Sequence, residues 1–157
     1  MTARSAAHTS FVLDRRFPAS PARVFQAWAD PEAKRRWNDC HAEVGTQEYT
    51  IDFRVGGHEI HRAILPDGQP QLVDKVFLEI VPDARIVFAY FMEAGGRPLS
   101  ASLVTVEFNV EAAGTHLKLT EQLAYLDGHN DLDQRIEGTA EGLDRLGLQL
   151  ADDLPAP

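Results

Sequence analysis

Two glutamates and a histidine are the residues of this sequence best suited to moving protons. Glu121 shares strand parity with Leu117, Leu119 and Leu123, which implies an inward carboxylate on an otherwise apolar face. Burial there raises a carboxyl pKa and makes Glu121 a candidate general acid or base. The plainer alternative is a strand-end carboxylate that caps a loop amide or pairs with an arginine. Glu59 and His61 stand two apart after Gly56-Gly57. On one strand face they would lie about 7 Å apart and could relay a proton, work that suits histidine near neutral pH. The face itself is ambiguous, because 59/61/63 and 58/60/62/64 both mix apolar and charged groups. Two solvated or paired side chains are the simple reading. Tyr49, Tyr90 and Tyr125 are candidate pocket hydroxyls. Tyr90 falls in line with Ile86, Phe88 and Met92, so a buried ring with one polar tip is expected, with core packing as the alternative. Asp52 and Arg54 read as an ion pair bracing the Gly-Gly turn.

Other chemistries find little support. His58 and His61 are three apart, which on a strand puts them on opposite faces, and His116 and His129 are isolated, so neither a metal nor a cofactor is expected. Cys40 sits in a loop with Asp39 and His41, but a catalytic thiol needs a lowered pKa and a placed base. Gly56-Gly57 lacks the Lys-Ser/Thr and the helix of a phosphate loop. Fifteen basic against 24 acidic residues leave a net charge of -9, which argues against nucleic acid as a partner. A single cysteine rules out a disulfide framework. No apolar run approaches the ~20 residues of a membrane helix, and the N-terminus lacks a signal-peptide apolar stretch, so a soluble cytoplasmic protein without membrane contact is expected. The cluster Lys34-Arg35-Arg36 reads as a solvated helix end, where cations also suit the dipole.

These residues need elements to hold them. The chain of 157 residues is read as one domain, 1–157, with its core at about 10–151 and frayed ends at 1–8 and 154–157. A strand from Ser10 to Phe17 is stopped by Pro18. Ser20-Pro21 and Asp30-Pro31-Glu32 open two short helices, and a loop follows from Asn38 to Val44. Tyr49, Ile51, Phe53 and Val55 then alternate with polar residues through Arg54, as a strand requires. Five more strands follow, separated by Gly56-Gly57, Pro66-Asp67-Gly68, Pro82-Asp83, Gly95-Gly96 and Ala113-Gly114. From about Asp133 to Leu150, Ile136, Ala140, Leu143, Leu146, Gly147 and Leu150 form one helical stripe, with Arg145 among the polar residues opposite. Short links imply an antiparallel meander, hence an α+β domain. One helix ~10–12 Å wide cannot fill the concavity of a sheet several strands wide, so an internal cavity is expected, and such cavities are default small-molecule sites.

Arg15 to Trp28, Asp30-Pro31-Glu32, Trp37, Asp52 to Gly57, Pro66-Asp67-Gly68, Glu79 to Asp83, Gly114-Thr115, Gly138-Thr139 and Leu143 to Leu146 together resemble, over roughly residues 10–151, the START-like helix-grip (SRPBCC) superfamily. The branch is that of the activator of heat shock protein 90 ATPase homologues, also described as polyketide cyclase-like. The resemblance implies a helix-grip fold: a curved antiparallel β-sheet wrapped around a long C-terminal α-helix, with two short helices after the first strand. It also implies that 59/61/63 is the cavity face and that the cavity takes a small hydrophobic or aromatic molecule. Tyr49, Phe53, Tyr90, Phe108, Leu119 and Leu143 are the expected contacts. Thr139 and Glu59 replace the aromatic residues of many relatives, which would make the cavity more polar. Three readings stay open. One is a binding module, and one is a cyclase- or dehydratase-type enzyme using Glu121, Glu59 and His61. The third, a chaperone-interacting protein, rests on the family name alone, and chaperone-activating relatives usually carry an extra N-terminal domain. Exposed sheet edges make a homodimer a further expectation.

Overall fold

A computed structural model describes residues 4–38 and 45–152. Strand β1 (Ala6–Phe17) buries Phe11 and Phe17 on one face. It starts four residues before the expected Ser10, because Ala6 to Thr9 continue the ladder opposite Leu126 to Leu123. Helix α1 (Pro21–Ala29) is capped by the Ser20 hydroxyl, which accepts from the Arg23 amide at 3.2 Å. It buries Val24, Phe25, Ala27 and Trp28. Helix α2 (Pro31–Asn38) buries Ala33, Lys34 and Trp37. Lys34 is therefore not part of a solvated cationic end. Only Arg35 and Arg36 of that cluster are exposed, because Lys34 lies one helical turn from Trp37 on the inward face.

Strands β2 (Gly45–Ile51), β3 (His58–Ile64), β4 (Pro70–Val81), β5 (Arg85–Ala94), β6 (Arg97–Glu111) and β7 (Gly114–Leu126) follow, then α3 (Leu132–Asp152). Strand β2 ends at Ile51 rather than reaching Val55. The Asp52 amide closes on the His58 carbonyl, Arg54 on Asp52 and Gly57 on Arg54, so residues 52–57 form a tight turn and Val55 is exposed. A Cβ at Gly57 would stand 2.1 Å from the Asp52 carbonyl oxygen, so only glycine allows this approach. The expected Asp52–Arg54 ion pair spans that turn at 2.7 Å. Asp39, Cys40 and His41, like the tail at 154–157, lie outside the described residues.

All seven strands form one antiparallel sheet in the order β1-β7-β6-β5-β4-β3-β2. Strands β1 and β2 are its two edges, so α1 and α2 carry the chain from one edge to the other across the concave side. Helix α3 lies on that same side and buries Leu143, Leu146 and Leu150. The core is continuous from the sheet into the helices, with Val24, Ile86, Val106, Leu117 and Leu146 fully buried. The fold is an α+β helix grip: a curved sheet, a long C-terminal helix and two short helices after the first strand.

Candidate functional site

Between the concave face and α2–α3 lies a cavity of about 660 Å³. Its origin is partly a shortage of side chains. Helix α3 turns Gly138, Thr139 and Gly142 toward it, and a Cβ placed on Gly138 would meet nothing within 4 Å. The apolar wall includes Trp37, Phe88, Met92, Val104, Leu119 and Leu143.

Two polar clusters are set into this wall. The first centres on Glu59 of β3. Its Oε1 accepts from Lys34 Nζ at 2.9 Å and its Oε2 from the Tyr49 hydroxyl at 2.8 Å, while Lys75 Nζ of β4 stands 3.5 Å from Oε2. Glu59 and Lys34 are buried, at 2% and 1% exposure. Burial alone would raise the Glu59 carboxyl, but Lys34 and Lys75 outweigh it and hold the carboxyl at about 2. Lys34 is pulled down to about 8 by burial, with Lys75 adding to the effect and Glu59 opposing it. One carboxylate thus serves two ammoniums: the anion is over-compensated and the cations share what remains. Both cations also lie against aromatic rings, Lys34 at 5.0 Å from Trp28 and 5.5 Å from Trp37, Lys75 at 5.3 Å from Phe88.

The second cluster centres on Glu121 of β7 and Arg135 of α3. Glu121 Oε2 accepts from the Tyr90 hydroxyl at 2.5 Å and from Ser102 Oγ at 2.9 Å, and Arg135 Nη1 stands 3.6 Å away. Asp131 grips Arg135 with both oxygens, at 3.1 and 3.2 Å, and also accepts from the Tyr125 hydroxyl at 2.7 Å. His129 Nε2 lies 3.1 Å from Asp131 Oδ2. Burial, then the Glu121 charge, pushes the Tyr90 hydroxyl far above its ordinary range, so it keeps its proton and donates it to Glu121 while accepting from Arg135 Nη1 at 3.3 Å. Burial and the bond to Asp131 likewise push the Tyr125 hydroxyl up. Asp131 is held below the usual carboxylate range, because the Tyr125 hydroxyl and Arg135 outweigh the upward push of burial.

Tyr49, Glu59, His61, Tyr90, Leu119, Glu121 and Leu143 all stand on the cavity lining. The ambiguous parity of β3 resolves to 59/61/63 inward, with Glu59 and Ala63 buried. Glu59 and His61 share that face but do not bond each other: His61 Nε2 meets Thr46 Oγ1 at 3.1 Å, and its ring lies edge-on to Tyr49. His58 points outward to Asp74 at 2.7 Å. Phe53 and Phe108 are not on the lining. They stack with Phe25 at 5.8 and 5.6 Å, because α1 covers that end of the sheet. Among the described residues no group of histidine, cysteine, aspartate and glutamate could hold a metal ion, and no described helix is long and apolar enough to cross a membrane.

Lys34, Lys75 and Arg135, with Ser102 and Asp131 beside them, are site residues that sequence reasoning missed. Lys34 shares a face with Trp37, and Arg135 is in step with Thr139 and Leu143, so helical spacing carried the signal; charge suggested solvent instead. Arg145, expected on the polar side of α3, is half-buried and donates from Nε to the Trp37 carbonyl at 2.8 Å, tying α3 to α2.

Comparison with known proteins agrees with this architecture. The family model described as activator of Hsp90 ATPase homolog 1-like protein matches residues 18–153. A solved protein from Rhizobium leguminosarum is 45% identical, with a TM-score of 0.91 over 97% of this chain and 100% of its own. A protein from Rhizobium loti is 43% identical, with a TM-score of 0.85 over 92% of this chain and 98% of its own. An AHSA1-like protein from Aeromonas hydrophila shares the fold at 22% identity, with a TM-score of 0.67 over 92% of each chain. Among curated proteins nothing matches the chain.

Proposed function

The chain belongs to the activator of Hsp90 ATPase homolog 1-like family, within the SRPBCC superfamily, and from that premise we propose that it is a binding module that takes one small apolar or aromatic molecule into the hollow between sheet and α3. The observation that carries this reading is a cavity of about 660 Å³ whose surface is mostly apolar, with polar and charged side chains set into it, a make-up suited to a small ligand. The two carboxylates act as fixed acceptors that hold tyrosine, serine, lysine and arginine donors in place. Glu59, held at about 2, is poorly matched to proton transfer near neutral pH, which favours binding over cyclase- or dehydratase-type chemistry.

A thermal-shift and native mass spectrometry survey of aromatic compounds and fatty acids tests the proposal. A ligand present at 100 times its dissociation constant stabilises by about 2.7 kcal/mol. For a domain of this size that raises the melting temperature by about 5–10 °C. Glu121→Gln should leave the affinity of any hit within about threefold, because an amide oxygen still accepts from Tyr90 and Ser102. A library with no hit, or a variant that keeps affinity but abolishes turnover of a bound compound, would overturn the reading.

A further inference from the structure

We propose that the ligand of this cavity is a carboxylate on an apolar or aromatic body, with its anionic head against Lys75 and its body against Phe88, Val104, Leu119 and Leu143. The proposal rests on the binding reading above and adds the chemistry of the head group.

The charged groups of the cavity are unequally served. At the Glu121 end every charge is closely held. Glu121 accepts two hydroxyls and faces Arg135, and Asp131 grips Arg135 with two oxygens while meeting Tyr125 and His129. At the Glu59 end the carboxylate is spent on Lys34 and Tyr49 at hydrogen-bond distance. Lys75 gets what is left. Its only ion pair among the described residues is 3.5 Å long, to an oxygen that already accepts from Tyr49. Its side chain is also more open than those of Lys34 and Glu59, at 16% against 2% for both. Two ammoniums and one carboxylate leave an excess positive charge on a largely apolar wall, where charges call for a partner. An ammonium has three donors, and a ligand carboxylate beside Lys75 would accept from those that Glu59 does not reach. The rings of Phe88 and Tyr90, at 5.3 and 5.9 Å from Nζ, direct the rest of such a ligand along the apolar wall.

Three compounds with one body isolate the head group: 4-phenylbutyrate, 4-phenylbutanol and 4-phenylbutylamine, titrated calorimetrically into the protein at pH 7. The acid should bind at least about tenfold more tightly than the alcohol, the scale of one charge-assisted bond. Lys75→Met should erase that advantage with the alcohol unchanged within about threefold, and Lys75→Arg should keep most of it. Equal affinity for acid and alcohol in the wild-type protein overturns the proposal while leaving the binding module intact. A preference for the amine also overturns it and moves the anchor to the Glu121–Asp131 end. Failure of the acid to bind overturns it too, and the wider library then decides whether the binding reading falls with it. The wild-type comparison stands even if Lys75→Met does not fold.

Discussion

A buried carboxylate flanked by two ammoniums makes its three members unequal. Removing Glu59's charge leaves Lys34 and Lys75 facing each other without an anion, whereas removing Lys34 leaves Glu59 with Lys75 and Tyr49. Glu59→Gln should cost ~3–5 kcal/mol in urea denaturation at pH 7, the usual loss when one partner of a buried pair is taken away. Lys34→Met should cost less than half of that, since the methylene stem and its aromatic contacts survive. Equal costs would show that the two lysines do not share the anion. The same group sets an acid limit. Glu59 titrates at about 2 in the fold against an ordinary 4.5. The unfolded chain takes up the proton first as pH falls, so stability is full above 4.5 and declines toward pH 2, by about 3 kcal/mol in all. Denaturation midpoints between pH 6 and 3 should show this slope in the wild-type protein and a shallower one in Glu59→Gln. At this scale the sequence was half legible. Leucines at 117, 119 and 123 showed which way Glu121 points. Helical spacing puts Lys34 on the Trp37 face, but a cation there is expected to reach for solvent, and its burial depends on an anion arriving from a strand 25 residues later.

Helix α3 is built to leave space. Glycine weakens a helix by roughly 0.5–1 kcal/mol relative to alanine, and α3 carries Gly138 and Gly142 on its cavity side. Gly138→Ala should therefore stabilise the protein by about that amount without touching ligand affinity, since its Cβ enters open space. Gly138→Trp should fill the hollow and weaken binding of any ligand at least about tenfold, with the fold retained by circular dichroism. Binding unaffected by the tryptophan would place the ligand elsewhere. Elements were the most legible level, because alternation and helical spacing are local. The tight turns and the α3 stripe follow from Gly, Pro and leucine positions alone. The end of β2 did not, because Phe53 and Val55 keep the alternation while the backbone has already turned. Phe53 then packs under α1, a contact between distant segments that periodicity does not carry.

In the whole molecule the hollow is a product of pairing at a distance. Strands β3 to β7 are joined by short turns and meet their neighbours in chain order, so each hairpin closes a small loop. Strand β1 instead lies along β7, with Ala6 opposite Leu126 and Phe17 opposite Thr115, and that union must close a loop containing the entire meander. Loop closure of that length is entropically costly and is rewarded only late. During refolding the meander should therefore gain amide protection first, and the seam with β1 should follow, bringing the two short helices over the open side. A pocket assembled in that sequence is not enclosed until its last piece docks. A fluorescent ligand added at the start of refolding should report nothing through the early phases and then bind with the rate of the final one; capture by the early meander would contradict this order of assembly.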